Sequence, residues 1–273
     1  TWPFVARSTP TITGSYDLIT VRSLDEIQRI RTSCEIVFAV QQELEKAVAV
    51  DITTGELDSL AEETILARGA RPAFKGYRDF PASICTSVNA AAVHGFPSRE
   101  VRLSGGDIVT IDVGVELDGY YGDGAFTLGV GKISRDCRRL LETTRQALHD
   151  GISKAAPENR LTDISQAIQA RVEGAGMSVI REFGGHGIGR DLHEAPHIPN
   201  HGRAGKGPRL KSGFVFAIEP IVSLGKPELD VAADGWTTTT RDGSPVAHFE
   251  HTVALTGDGE PDILTLPKDG ADR

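Results

Sequence analysis

Residues 105–123 read GGDIVTIDVGVELDGYYGD, and this stretch decides the fold. Apolar segments on both sides of Asp118 and Gly119 predict two antiparallel strands, because Asp-Gly is a strong signal for a tight hairpin turn. Each strand carries an acid, Asp112 or Asp123, although an unpaired charge in an apolar strand is costly. The hairpin would bring the two carboxylates side by side, where they repel unless they share a proton or a cation.

A second segment of the chain resembles the first strand of this hairpin. LKSGFVFAIE at 210–219 and LSGGDIVTID at 103–112 share a leucine, a glycine three residues later, and an apolar run ending in isoleucine and a carboxylate. Chance similarity between two amphipathic strands is the alternative explanation. If the chain is duplicated, Asp112 and Glu219 occupy related positions that face a shared cleft.

The order of predicted elements also indicates two similar halves. Capping boxes at Ser23–Glu26 and Thr53–Glu56 begin two helices, and helical segments recur at 134–156 and 161–176. Strand-like segments at 82–88, 107–117 and 120–130 follow the first helix pair, and short strand-like runs from 177 to 266 follow the second. The stretch at 71–81, RPAFKGYRDFP, is predicted as a loop. The expected fold class is α+β, with an extended arm at 1–20 and a single domain at 21–273.

Composition narrows the class of protein. The 273 residues are 39% hydrophobic and 25% charged, with a net charge of −9 that disfavours nucleic acid and anionic membrane surfaces as partners. The three cysteines are widely spaced and form no CxxC pair, which indicates reduced thiols and a cytoplasmic location. We expect no signal peptide and no membrane span, since the apolar runs are short.

Two further acids and a histidine share the unusual setting of the first two. Glu219 lies in FVFAIEPIV, Glu250 lies in HFEHTVAL, and His186 lies among four glycines in GGHGIG. Any one such acid is more often a solvated or salt-bridged residue at a strand end. Four of them with an imidazole suit a pair of divalent first-row metal ions, and are too anionic for a structural zinc site.

The sequence HEAPH at 193–197 matches the zinc-protease pattern H-E-x-x-H. That pattern needs one unbroken helix, and Pro196 inside it costs about 3 kcal/mol in a helix interior. We therefore predict a loop or strand, and Glu194 loses its apparent role as a general base. His197 and His201 are expected to be surface or hydrogen-bonded loop histidines.

Several spaced blocks together resemble the type I methionine aminopeptidases, which have the pita-bread fold. The resemblance runs from about 23 to about 265, and its blocks are CTSVNAAAVHGFP (85–97), GGDIVTIDVGVELDGYYGD (105–123), FGGHGIGRDLHEAP (183–196), FAIEPIV (216–222) and FEHTVALT (249–256). It implies pseudo-twofold halves, each a helix pair with antiparallel strands, around a central metal cleft. The implied activity is hydrolytic removal of the N-terminal methionine from newly made polypeptides.

The resemblance also assigns roles to individual residues. It implies a dinuclear site for two divalent ions, of Co, Mn, Fe or Zn, with these five ligands: Asp112, Asp123, His186, Glu219 and Glu250. Asp112 would hold one ion and His186 with Glu219 the other, while Asp123 and Glu250 would bridge them. Glu219 is also the expected general base.

Further matches concern the substrate. His94 matches the family histidine near the scissile amide, and His193 the one that hydrogen-bonds the scissile carbonyl. A methionine pocket would be lined by Tyr77, Phe80, Cys85 and Trp236. The expected partners are the N-termini of nascent polypeptides, at the ribosome or after release, and we expect a monomer that binds neither nucleic acid nor membrane.

The sequence departs from the family pattern at five positions near the site: Phe74, Gly114, Gly124, Leu192 and Ala217. In the family, small hydroxyl residues are common at the positions of Gly114 and Ala217, and threonine is common at that of Gly124. Metal affinity and pocket shape can therefore differ from those of typical members. Three alternatives remain at this point: an Xaa-Pro peptidase of the same fold, a non-catalytic polypeptide- or ribosome-binding member, and a single-zinc protease that uses HEAPH.

Overall fold

The computed structural model describes residues 19–257 and 259–267, and the predicted arm lies almost wholly outside them. The helices within the described residues are α1 (Leu24–Ala47), α2 (Thr54–Leu66), α3 (Arg135–Ile152) and α4 (Leu161–Gly174). Both predicted capping boxes are present, because the side chain of Ser23 accepts from the Glu26 amide, that of Thr53 from the Glu56 amide, and each glutamate accepts in return. None of these helices has the length and apolar character needed to cross a bilayer.

The strands fall into the same two halves as the helices. Those of the first half are β1 (Arg71–Pro72), β2 (Ile84–Val88), β3 (Ala91–Val93), β4 (Ile108–Leu117) and β5 (Tyr120–Gly129). Those of the second half are β6 (Ser178–Val179), β7 (Gly184–Gly187), β8 (Glu194–Pro199), β9 (Val215–Ile218), β10 (Ile221–Ser223), β11 (Leu229–Val231), β12 (Thr238–Thr240), β13 (Val246–His248), β14 (His251–Leu255) and β15 (Pro261–Ile263). The loop predicted at 71–81 is only partly right, since it contains β1 and a 3-10 helix at Tyr77–Asp79. Strand β1 forms there because it pairs with β4.

The predicted hairpin is the centre of the first half. Strand β4 pairs antiparallel with β5 around the Asp118–Gly119 turn, and with β1 and β2. Asp112 lies opposite Ala125 and Asp123 lies opposite Gly114, so the two acids share a face as diagonal neighbours rather than as a direct pair.

The second half is built around β9. Its sheet has the order β15-β14-β9-β7-β8, and all the pairs within it are antiparallel. Strand β9 therefore lies between two partners as β4 does, and Glu219 directly follows it. Two three-stranded sheets, β13-β10-β6 and β11-β12-β3, complete the fold. The second of them connects the halves, because it joins β3 from the first half to strands from the second.

Each helix pair covers its own sheet. The core beneath α1 and α2 includes Val37, Leu57 and Ile111, and the core beneath α3 and α4 includes Ile164 and Phe216. The predicted order of helix pair, strands, helix pair, strands is confirmed. The strand faces turned away from the helices meet at a central cleft, which positions the candidate site.

Candidate metal centre and substrate cavity

A cavity lies between the two halves of the fold. It is lined by Phe74, Tyr77, Phe80, Cys85, Val93, His94, Asp112, Asp123, Phe183, Gly184, His186, His193, His197, Glu219, His248 and Glu250. The structure thus brings the five predicted metal ligands, both predicted substrate histidines and three of the four pocket residues to one place. The fourth, Trp236, adjoins the cavity, because its ring meets Phe80 edge-on with centroids 5.3 Å apart.

The carboxylates converge on His186 from both halves of the molecule. Its Nε2 lies 3.9 Å from Asp123 Oδ2 and 3.7 Å from Glu219 Oε1. One ligand atom each from Asp123, His186 and Glu250 lies within 4.8 Å of the others. Asp112 shares the same face of the β4–β5 hairpin as the diagonal neighbour of Asp123. These spacings suit donor atoms that share cations between them.

Glycines around His186 allow this convergence, because the backbone of β7 packs closely against those of β8 and β9. A Cβ built on Gly185 would lie 2.3 Å from the carbonyl oxygen of Ala217, and one on Gly187 would lie 2.2 Å from that of Ala195. His186 Nδ1 lies 2.9 Å from the Gly187 carbonyl oxygen, which fixes the ring and leaves Nε2 facing the carboxylates. The sequence expectation that these glycines permit close backbone approach is confirmed.

The residues present fit divalent cations. Three buried atoms at this site, Asp112 Oδ1, Glu250 Oε1 and His248 Nε2, have no hydrogen-bond partner among the described residues. Buried polar atoms are normally satisfied, so their joint lack of a partner points to a bound ion. Burial raises the pKa of Asp112 to about 7. The pKa of the Glu250 carboxyl is raised well above its usual value by burial and then by the charges of the neighbouring acids.

Cation binding should therefore depend on pH. Protons and cations compete for the same oxygens, and the Asp112 carboxyl, with a pKa of about 7, takes up a proton below neutral pH and loses it above. His186 does not compete in this range, because burial lowers its pKa to about 4. We expect the apparent affinity for Mn²⁺ or Co²⁺ to fall by about tenfold or more between pH 8 and pH 6. Calorimetric titration in two buffers of different ionisation enthalpy measures the protons released; an affinity independent of pH, with no proton release, would contradict this.

The two predicted substrate histidines, His94 and His193, are neutral at physiological pH. Burial lowers the pKa of His94 to about 4, and burial followed by the nearby His186 lowers the pKa of His193 well below its usual value. His193 Nδ1 lies 3.1 Å from the Tyr77 hydroxyl, and the two rings are stacked with centroids 5.4 Å apart. If the Tyr77 O–H donates to Nδ1, His193 keeps its proton on Nε2 and can donate it to a substrate.

At the apolar end of the cavity, a single contact accounts for two departures from the family pattern, Phe74 and Gly114. A Cβ on Gly114 would lie 2.4 Å from the Phe74 ring, so the phenylalanine fits only because position 114 has no side chain. Phe74 is buried, and it packs in one cluster with Phe80 and Cys85. Cys85 on β2 lies opposite Asp112 on β4, and this pairing puts the Cys85 thiol on the same face of the sheet as the acids. Phe74 and Gly114 therefore act together in setting the shape of this end of the cavity.

The HEAPH segment is not a helix, as Pro196 predicts. Strand β8 begins at Glu194, and its carboxylate forms a largely buried ion pair with Arg22 at 2.5 Å. The same carboxylate accepts hydrogen bonds from the backbone amides of Arg190 and Asp191, and these bonds fix the turn that carries His193.

The prediction for His197 is wrong: this residue is half-buried on β8 opposite His186, and it lines the cavity. The pleat of β8 requires this, because alternate side chains of an edge strand face inward. His201 is a hydrogen-bonded loop histidine, as expected.

Substitution of Glu194 separates the two interpretations of HEAPH. We expect Glu194→Gln to lower the free energy of unfolding by about 2 kcal/mol, since it weakens charged hydrogen bonds to Arg22 and to the turn. Metal affinity should stay within about twofold of the wild type, because the Glu194 carboxylate is paired with Arg22 and does not line the cavity. Chemical denaturation and metal titration measure both quantities, with Glu182→Gln as a control on the same stretch. A zinc-protease helix would instead require Glu194→Gln to abolish turnover without loss of stability.

Sequence reasoning missed His248. It is almost fully buried, and burial lowers its pKa to about 3. Its Nε2 lies 3.6 Å from Glu219 Oε2 and 3.8 Å from Glu250 Oε2. A signal was available, because His248 precedes Glu250 by two residues and such positions in an extended chain share a face.

Comparison with known proteins agrees with this geometry. The sequence profile of metallopeptidase family M24 matches residues 28–257. The chain belongs to this family. It is 46% identical over 249 residues to a methionine aminopeptidase of Clostridium acetobutylicum, and 49% identical over 248 residues to methionine aminopeptidase 1 of Bacillus subtilis. Each alignment covers 91% of this chain and 99% of the relative.

Solved structures show that the similarity of this M24 chain to known proteins includes its fold. A methionine aminopeptidase of Thermotoga maritima superposes with a TM-score of 0.89 at 40% identity, covering 91% of this chain and 99% of that one. A prolidase of Pyrococcus furiosus superposes with a TM-score of 0.76 at 22% identity, covering 94% of this chain and 67% of that one, and shows the fold alone. The expected pita-bread fold, with its duplicated halves around a central cleft, is confirmed.

Proposed function

We propose that this M24 chain removes the N-terminal methionine from polypeptides by hydrolysing the first peptide bond at a dinuclear metal centre. The proposal rests on the convergence of four carboxylates and His186 on one cavity, where buried donor atoms have no hydrogen-bond partner in the described part of the chain. Relatives that are 46–49% identical and named methionine aminopeptidases support the choice of reaction.

In this proposal the ligands of the two ions come from both halves of the fold. Asp112, Asp123, His186, Glu219 and Glu250 would together hold the two ions. Divalent ions bound there supply the Lewis acidity that makes a water molecule nucleophilic at neutral pH. Cobalt, manganese, iron and zinc are all compatible with this set of oxygen and nitrogen donors.

Side chains around the ions then accept the proton of the attacking water and stabilise the negative charge that develops on the substrate. Glu219, at the edge of the carboxylate cluster, takes the proton of the attacking water as general base. His193 donates its Nε2 proton to the scissile carbonyl oxygen, where negative charge develops. His94, which also lines the cavity, contacts the leaving amide nitrogen.

The apolar end of the cavity supplies the methionine pocket. Tyr77, Phe80, Cys85 and Trp236 surround it, and aromatic rings with a thiol form a polarizable environment suited to a thioether. Phe74 narrows this end, so the pocket should accept one slender unbranched side chain. Residues 21–273 would act as one catalytic unit, as a monomer in the cytoplasm, where the three thiols stay reduced.

The test is cleavage of a Met-Ala-Ser peptide beside Leu-Ala-Ser and Ala-Pro-Ala, with metal-free protein reloaded separately with each of the four ions. We expect release of methionine from the first peptide, at least about a hundredfold slower cleavage of the second, and none of the third. Cleavage of Ala-Pro-Ala alone would identify an Xaa-Pro peptidase. Stoichiometric metal binding without cleavage of any peptide would favour a non-catalytic polypeptide-binding protein.

A further inference from the structure

His248 is held rigidly beside the candidate metal centre. It ends strand β13 and lies opposite Ile221 of β10. The hydroxyl of Thr127 on β5 accepts the His248 amide at 2.9 Å and donates to the His248 carbonyl at 2.8 Å. The backbone N–H and C=O of His248 are therefore both engaged by one side chain from the other half of the fold, and these bonds hold the backbone that carries the ring.

The Nε2 atom of this ring is buried and has no hydrogen-bond partner among the described residues. Its distances of 3.6 Å to Glu219 Oε2 and 3.8 Å to Glu250 Oε2 are too long for hydrogen bonds. An unsatisfied imidazole nitrogen at such depth is costly unless another group engages it.

The same distances are those expected of donors that share a cation. Nitrogen and oxygen donors about 2.0–2.2 Å from one ion lie roughly 3–4 Å from each other. His186 Nε2 stands 3.7 Å from Glu219 Oε1 and 3.9 Å from Asp123 Oδ2, which matches the separations of His248 closely. Glu219 therefore presents one carboxylate oxygen to each of two imidazoles.

We propose that His248 is a second imidazole donor of the metal centre, held with Glu219 and Glu250 as His186 is held with Glu219 and Asp123. This proposal rests on the dinuclear centre of the proposed function and adds a ligand to it. Its consequence is metal selectivity, since imidazole favours zinc, iron and their neighbours whereas an all-carboxylate set suits manganese. A centre with two imidazoles should favour Co²⁺ over Mn²⁺ more strongly than one with a single imidazole.

A direct test needs no variant. Metal-free protein with ¹⁵N-labelled histidine is loaded with ¹¹³Cd²⁺, and one-bond cadmium–nitrogen couplings are assigned to individual residues by magnetic resonance. We expect couplings to both His186 and His248. A coupling to His186 without one to His248 overturns the inference and leaves the proposed function intact, whereas failure of the protein to bind any divalent ion overturns the proposed function itself.

A second test measures selectivity. We expect His248→Gln to weaken Co²⁺ binding by about 10- to 100-fold and Mn²⁺ binding much less, with a shift of the Co²⁺ visible absorption band. The control His149→Gln, on α3 and outside the cavity lining, should leave both affinities and the spectrum unchanged. If His248→Gln retains Co²⁺ affinity within twofold and a superimposable spectrum, His248 is a packing residue and the inference fails.

Discussion

Asp112→Asn is expected to abolish metal-dependent turnover while leaving the fold intact. Residues that merely support metal ligands change affinity by 10–100-fold, so loss of a direct carboxylate ligand should lower kcat/KM by about a thousandfold or more. Stability of the metal-free protein should not fall. Burial already raises the pKa of Asp112 to about 7, and a neutral amide removes its repulsion with Asp123.

The control for this variant lies on the same hairpin. Asp118 is exposed at the turn with a φ of 50°, a backbone conformation that asparagine adopts readily. Asp118→Asn should keep wild-type activity and metal content. Peptide cleavage, metal analysis and thermal unfolding compare the two variants. If Asp112→Asn cleaves a Met-Ala-Ser peptide at the wild-type rate, Asp112 is not a ligand and the proposed mechanism is wrong.

Gly185→Ala should have the largest effect on stability. The new methyl group would lie 2.3 Å from the Ala217 carbonyl oxygen, which is backbone and cannot rotate away. Strands β7 and β9 would have to separate, and overpacking of this kind costs about 3 kcal/mol. These strands carry His186 and lead into Glu219, so metal affinity should fall together with the free energy of unfolding.

Gly174→Ala is the matched control. Gly174 ends α4, and a Cβ built there meets no atom within 4 Å. Alanine at a compatible helical position should stabilise the protein by up to about 1 kcal/mol and leave metal binding unchanged. Equal stability of the two variants in urea would mean that β7 and β9 tolerate separation, against the packing described here.

Local signals explain why much of the architecture was predictable from sequence. The capping boxes at Ser23 and Thr53 and the Asp118–Gly119 turn each act over a few residues, and each forms as predicted. Pro196 excluded a helix because its effect on the backbone is also local. The anomalous acids could be identified because a charge in an apolar strand needs an explanation wherever that strand packs.

Other features depend on contacts between residues distant in sequence. Phe74 and Gly114 read as two unrelated departures until the structure placed the ring against the bare glycine. Arg22 gave no sign that its partner is Glu194, 172 residues away. His197 read as a loop histidine because its inward direction depends on the pairing of β8 with β7.

The helices, the turn of the central hairpin, the exclusion of a HEAPH helix and the five candidate metal ligands were all predictable from the sequence, and the family resemblance added the roles of the ligands. Those properties depend on local backbone preference and on side chains whose setting is costly without a cation. The tertiary structure alone shows that Glu219 lies between two imidazoles, those of His186 and His248. That arrangement requires β7, β9 and β13, which are distant from one another in sequence, to bring these residues together at one cleft, and no local pattern specifies that approach.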